Sequence, residues 1–293
     1  MITFHSIVTR ALTLLTTLVF CIPTQAAEIS SPDGNTRVTL TLAEGSPTWS
    51  IQRGEHQILN TSSLGLIPAS SPYQAFTEIG IEQTAHDTTW QPVWGKASSI
   101  RDHHNQAIWQ LRETAGSQRK LDIIVRVFDN AVAIRYRVHG EGEETIKGDE
   151  TAFVFPSDFT CWSANGERPN HGPVPLSKWK GHQMPLTVKI ADNCYASVME
   201  AAIINYAALS LNRTAPTTYQ AGLPKSTISL PSETSWRVIL LGDTPGDLIT
   251  NHTLVNLNPP CAIKDTSWIK TGISLWDWRA WGAKTEDGFT YDL

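Results

Sequence analysis

Through most of this chain hydrophobic residues recur at every second position. Arg37–Leu42 sets Val38, Leu40 and Leu42 on one side and Arg37, Thr39 and Thr41 on the other. Leu121–Val127 repeats the pattern with Leu121, Ile123, Val125 and Val127. Val132–Val138 sets Val132, Ile134, Tyr136 and Val138 opposite Ala133, Arg135 and Arg137. Strand side chains alternate between two faces, so this period predicts half-buried antiparallel strands. Phe128-Asp129-Asn130-Ala131 lies between the last two and predicts a hairpin whose turn uses Asp and Asn. More strands are expected at Trp49–Arg53, Ala152–Phe155, Tyr195–Met199 and Trp236–Leu241, separated by turn clusters such as Ser31-Pro32-Asp33-Gly34 and Asp243-Thr244-Pro245-Gly246. No stretch after the first residues keeps a 3.6-residue period for long, and Gly246–Leu254 is expected as a short helix. Many short strands with few helices predict an all-β fold, a large antiparallel sandwich.

Two segments depart from the alternation. Met1–Ala26 reads as a secretory signal. Arg10 supplies the positive start, Ala11–Ile22 is apolar but too short to span a bilayer, and Thr24-Gln25-Ala26 ends on a small residue. The sequence therefore predicts export to a periplasm or the cell exterior, with no transmembrane segment. Asn165–Gly181 holds Gly166, Pro169, Gly172, Pro173 and Pro175, and is expected as a long loop of the kind that carries function on β scaffolds.

Composition narrows the partners. With 41% hydrophobic and 17% charged residues and a formal net charge of −5, the 293-residue chain is a folded, mildly acidic protein. Nucleic acid is excluded as a partner, because proteins that grip phosphates carry a basic excess. Cys161, Cys194 and Cys261 follow the leader, far apart and without a CxxC, which argues against a zinc site. One disulfide with a free thiol, or three unpaired thiols, both fit that spacing.

Candidate chemistry comes next. Eleven tryptophans are a high count, and flat indoles stack on sugar faces; core packing accounts for most single tryptophans. Trp276-Asp277-Trp278-Arg279 mixes indoles with a carboxylate and a guanidinium, which makes Trp276, Asp277 and Trp278 candidate carbohydrate contacts. Glu200 stands between the apolar Cys194–Met199 and Ala201–Ile204. A carboxylate there either faces solvent or is buried with a cation, since unpaired burial costs several kcal/mol; a hard ion such as Ca²⁺ is one answer. Adjacent His103 and His104 point to opposite strand faces and are expected as loop or surface residues. The carboxylate runs Glu141–Glu144 and Asp149-Glu150 are expected to be solvated. No nucleophile elbow, HExxH, P-loop or dinucleotide fingerprint is present.

Several segments, taken in order, resemble glycoside hydrolase family 97. They are Ser31-Pro32-Asp33-Gly34, Ser63-Leu64-Gly65-Leu66, Trp90-Gln91-Pro92-Val93-Trp94-Gly95, Ile100-Arg101-Asp102-His103-His104-Asn105, Phe128-Asp129-Asn130 with Ile134-Arg135-Tyr136, Glu200-Ala201-Ala202, Asn256-Leu257-Asn258-Pro259-Pro260-Cys261 and Asp265-Thr266-Ser267-Trp268-Ile269-Lys270. Asp102, His104 and Gln106 stand where the family commonly has Asn, Tyr and Glu, Ala131 replaces a frequent Gly, and Thr271 a frequent Pro.

The resemblance implies a β-supersandwich (galactose-mutarotase-like) joined to a (β/α)₈ barrel, acting on α-linked glucosides or galactosides. It also implies that Glu200 resembles the calcium-ligating glutamate that the N-terminal domain of the inverting members supplies, with the remaining Ca²⁺ ligands in the barrel. Trp276-Asp277-Trp278 is closer to the retaining members, in which a calcium role is less expected. A barrel takes about 250 residues. With a signal over residues 1–26 and the sandwich over 27–267, residues 268–293 hold only a first barrel strand, Ile273–Trp278. The family's catalytic carboxylates lie beyond it, so no catalytic residue is nominated. The expected protein is thus the N-terminal domain of an exported family 97 glycosidase, inactive alone and partnered by a missing barrel. Two alternatives stand beside it: a stand-alone carbohydrate-binding module, and an aldose-epimerase-like enzyme using His171, His182 and Glu200.

Overall fold

The structure is a computed structural model that describes residues 26–166 and 169–273. The expected leader apart from Ala26, the candidates Trp276, Asp277 and Trp278, and all of the expected barrel strand except Ile273 lie outside the described residues. In chain order the strands are β1 (Ala26–Ser30), β2 (Thr36–Ala43), β3 (Ser46–Arg53), β4 (His56–Ser63), β5 (Leu66–Pro68), β6 (Phe76–Trp90), β7 (Ile100–Glu113), β8 (Lys120–Phe128), β9 (Ala131–Val138) and β10 (Glu143–Asp149). They continue as β11 (Ala152–Val154), β12 (Thr160–Ser163), β13 (His171–Pro175), β14 (Leu186–Ala191), β15 (Cys194–Ala201), β16 (Ser210–Ala215), β17 (Thr218–Gly222), β18 (Ser226–Ser229), β19 (Ser232–Glu233) and β20 (Trp236–Gly242). Two short helices follow, α1 (Pro245–Thr250) and α2 (Thr253–Asn256).

The backbone of the fold is a ten-stranded sheet in the order β13-β12-β14-β15-β20-β9-β8-β7-β6, with β19 paired to β9. A four-stranded sheet, β1-β2-β3-β4, and two three-stranded sheets, β18-β10-β5 and β11-β17-β16, complete it. All the strand pairs are antiparallel. The sheets enclose one large apolar core, in which Val38, Leu40, Trp49 and Ile51 of the four-stranded sheet join Trp109, Ile123, Val125, Ile134, Val188, Val198 and Ile239 of the ten-stranded one. The all-β sandwich read from the alternation is the observed architecture.

The outer face of the large sheet departs from expectation. Leu121–Val127 and Val132–Val138 are buried on both sides along much of their length, where half-buried strands were expected. A second apolar cluster explains this: Ile124, Phe128, Ala131, Ala133, Ala201, Trp236, Val238 and Leu240 are covered by Leu248, Leu254 and Leu257. The helical segment Gly246–Leu254 is two helices, broken at Asn251, whose side chain instead holds the β8–β9 turn through Asn130 O at 2.9 Å. Thr244 caps α1 with a reciprocal box, its own N–H donating to Asp247 Oδ2 at 2.8 Å, and Pro245 begins the first turn.

Three local expectations are corrected. Asn165–Gly181 is not one loop, because His171–Pro175 pairs with β12, a 3₁₀ turn follows at Leu176–Lys178, and Trp179 is buried against Tyr219. His103 and His104 lie within β7, and His104 is buried between the rings of His86 and Phe128. Asp149 is buried, not solvated. Cys161, Cys194 and Cys261 are all free, the first two buried, and burial pushes the Cys161 thiol up to about 11, which makes it unreactive.

Candidate functional site

The period of β15 decides where Glu200 points. Cys194, Ala196 and Val198 all enter the large core, and Glu200 is the next residue in that register. Its side chain therefore lies on the apolar inner side, at the rim where β15 ends. There it is half-buried. Oε2 accepts the Leu209 N–H at 2.9 Å, and no hydrogen bond to Oε1 is found among the described residues. Burial raises the carboxyl above the ordinary range, opposed by the Leu209 bond and by the charge of Arg237. Arg237 is the cross-strand neighbour of Glu200 on β20.

Arg237 does not pair with Glu200. Its Nε donates to Asp149 Oδ2 at 3.0 Å and its Nη2 to the same oxygen, while Nη1 donates to Thr234 Oγ1 at 2.7 Å and to Ser235 O. The ring of Tyr136 faces the guanidinium at 5.1 Å and that of Tyr206 at 5.9 Å. Glu200 is thus left as a carboxylate with one committed oxygen beside an arginine already neutralised by another acid. Such a group offers an oxygen donor to a hard cation. Among the described residues no three His, Cys, Asp or Glu side chains gather as a metal cage, so a cation at Glu200 would need further ligands from elsewhere.

Among the described residues the other nominated groups do not converge on Glu200. His171 and His182 are exposed, and no hydrogen bond links either side chain to Glu200. On the outer face of the large sheet His104 Nδ1 meets Asp102 Oδ1 at 2.8 Å and His86 Nε2 meets Asp102 Oδ2 at 3.3 Å. Burial lowers the His104 pKa. This pair comprises two of the residues that depart from the family pattern. Among the tryptophans, Trp49, Trp109, Trp179 and Trp236 are core residues, whereas Trp94 is 65% and Trp268 67% exposed. Trp90 is partly exposed and donates through Nε1 to Asn256 Oδ1 at 2.8 Å, which ties the Trp90–Trp94 segment to α2. Sequence reasoning missed Asp149, Arg237, Tyr206 and Leu209. One signal was available: Arg237 interrupts the apolar run of β20 and so needs a buried partner.

In sequence and fold the chain is similar to several known proteins. The chain is 28% identical to the protein described as "Probable retaining alpha-galactosidase" from Streptomyces bingchenggensis, the match covering 84% of this chain and 40% of the relative. It is 22% identical to the retaining alpha-galactosidase of Bacteroides thetaiotaomicron, over 96% of this chain and 49% of that protein. The fold superposes with a TM-score of 0.78 on a glycoside hydrolase family 97 enzyme from Pseudoalteromonas sp. strain K8 in complex with panose, at 27% identity over 83% of this chain and 40% of that one. The chain spans less than half the length of each of these relatives. The family model described as glycosyl-hydrolase 97 N-terminal matches residues 29–260, and the chain belongs to that family, of which it carries the N-terminal β-sandwich domain.

Proposed function

We propose that this chain is the exported, non-catalytic N-terminal part of a family 97 α-glycosidase, which supports a (β/α)₈ barrel and supplies Glu200 as one ligand of a calcium site at the domain edge. The observation that carries this reading is the Glu200 carboxylate itself, with Oε2 bound to Leu209 N–H and Oε1 without a protein donor among the described residues. When bound, the ion would supply positive charge and an ordered oxygen shell; the remaining ligands would come from the barrel. The domain's own residues then have one task, to hold a single oxygen donor at a fixed place. Glycoside hydrolysis needs two carboxyl groups flanking the scissile bond, and the domain contributes no such pair. The relatives named above act on α-galactosides or were solved with panose, which supports an α-linked galactoside or glucoside as the substrate of the whole enzyme.

Terbium luminescence tests the metal role. Tb³⁺ replaces Ca²⁺ at oxygen sites, and Tyr206, whose ring lies 5.9 Å from the guanidinium of the cross-strand neighbour of Glu200, is the sensitising ring. One carboxylate without its barrel partners gives weak binding, on the order of millimolar. The expected result is a saturable signal that Ca²⁺ displaces and that Glu200→Gln abolishes in a folded chain. A signal unchanged by that substitution would remove Glu200 from the ligand set.

A further inference from the structure

We propose that the buried Asp149–Arg237 pair is the positioning device for Glu200, acting through Tyr206. This rests on the reading of Glu200 as the domain's functional carboxylate and assigns what fixes it. The route is continuous. Asp149 Oδ1 accepts Thr151 N–H at 2.8 Å, which anchors the carboxylate to its own turn, and the backbone carbonyl of Asp149 accepts Gln220 Nε2 at 2.9 Å, which anchors the main chain to β17. Its Oδ2 takes two donors from Arg237. The guanidinium plane is fixed further by Thr234 and Ser235, and by Tyr136, whose hydroxyl lies 2.6 Å from Thr151 Oγ1 and accepts Gly65 N–H at 2.9 Å.

Tyr206 belongs to the β15–β16 connection and lies against Arg237. Its ring lies 5.9 Å from the guanidinium, and among the described residues its buried hydroxyl makes no hydrogen bond of normal geometry, so the ring carries the attachment. Three residues later Leu209 gives its N–H to Glu200. Between Glu200 and Tyr206 the backbone passes through left-handed conformations at Ala202 (φ 52°) and Asn205 (φ 53°). Alanine pays a steric cost there, so the turn needs a tether to persist. The Ala207 N–H to Ser226 Oγ contact at 3.3 Å is a weak second tether. A buried ion pair can be exchanged for apolar residues of similar volume with little loss of stability. Its contribution here is location, because it is fastened from several elements and its arginine stands directly opposite Glu200.

The test is amide exchange at Leu209 by NMR in the whole chain, with Glu200→Ala as the reference for a lost bond. The double substitution Asp149→Leu with Arg237→Met fills the site with apolar side chains and removes both charges. The expected result is a retained fold, unchanged protection of the Val198 and Val238 amides, and at least tenfold faster exchange at Leu209. Unchanged Leu209 protection in the folded double variant overturns the proposal. Should that variant fail to fold, Tyr206→Phe against Tyr206→Ala decides. Phenylalanine keeps the ring and is expected to keep Leu209 protected, whereas alanine accelerates exchange at least tenfold. No effect of alanine, or equal effects of both, overturns the assignment. None of these readouts uses a metal, so Glu200 can be held in this way even if the terbium experiment fails, and the converse also holds.

Discussion

Asp149 and Glu200 both reach into the space between the sheets, Asp149 from the end of β10 and Glu200 from the end of β15. Asp149 is enclosed, and both its oxygens are engaged, Oδ1 by the Thr151 N–H and Oδ2 by two donors of Arg237. Glu200 sits at the rim, holds one backbone N–H, and keeps its other oxygen without a protein donor among the described residues. The same chemical group therefore has two roles, decided by position. Satisfied in the interior, it locks strands together. Half-satisfied at an edge, it costs some stability and remains available to a partner. Arg237 links the two, since it stands opposite Glu200 while spending its charge on Asp149.

The sharpest way to break this contrast is to remove Asp149 alone. Asp149→Ala strands the Arg237 charge in the core, and thermal or urea unfolding should report a loss of about 3–5 kcal/mol. A loss below about 1 kcal/mol would mean that Arg237 finds water and that Asp149 resembles Glu200 after all. Next comes Glu113, a third carboxylate that is buried and fully engaged. Arg119 binds it through two nitrogens, and the Gln74 and Arg119 amides also donate to it. The Arg119 hydrogen bonds hold its pKa below the ordinary glutamate range. A depressed folded-state pKa contributes stability above the unfolded value that is lost as pH falls through the folded value. Glu113→Gln should therefore destabilise by about 2 kcal/mol at pH 7, with the difference closing as the medium becomes more acidic than the usual glutamate pKa. Thr244→Ala, which deletes the α1 cap, should cost about 1 kcal/mol.

Glu200→Gln should have the smallest effect and the opposite sign. Its raised pKa means that the charged form opposes folding, so stability is fully present below the unfolded pKa and falls as pH rises through the folded one. The glutamine variant should melt at or slightly above the parent at pH 7, and the two should coincide once the parent is protonated. A clear destabilisation at pH 7 would show that Glu200 is a structural acid like Asp149.

The sheet architecture was legible because burial on one face imposes a period of two, and Val38–Leu42, Leu121–Val127 and Val132–Val138 carry it openly. The same period, continued from Cys194, also points Glu200 inward. Contacts made across long sequence distances were not legible. Asp149 and Arg237 are 88 residues apart, and nothing in Asp149-Glu150 distinguishes a buried acid from a solvated one. The outer apolar cluster depends on Leu248, Leu254 and Leu257 folding back over strands that each read as half-exposed. His171–Pro175 pairs through its backbone, which a Gly- and Pro-rich sequence conceals. The family resemblance was carried by motif order across the chain, and the match over residues 29–260 bears it out.

The central claim is that this domain shapes an active site without performing the chemistry. The most direct measurement is sugar release from aryl α-galactosides and aryl α-glucosides by the purified chain, with and without Ca²⁺. The account predicts no release above the uncatalysed background in either condition. Sustained release that follows the chain through purification would contradict it.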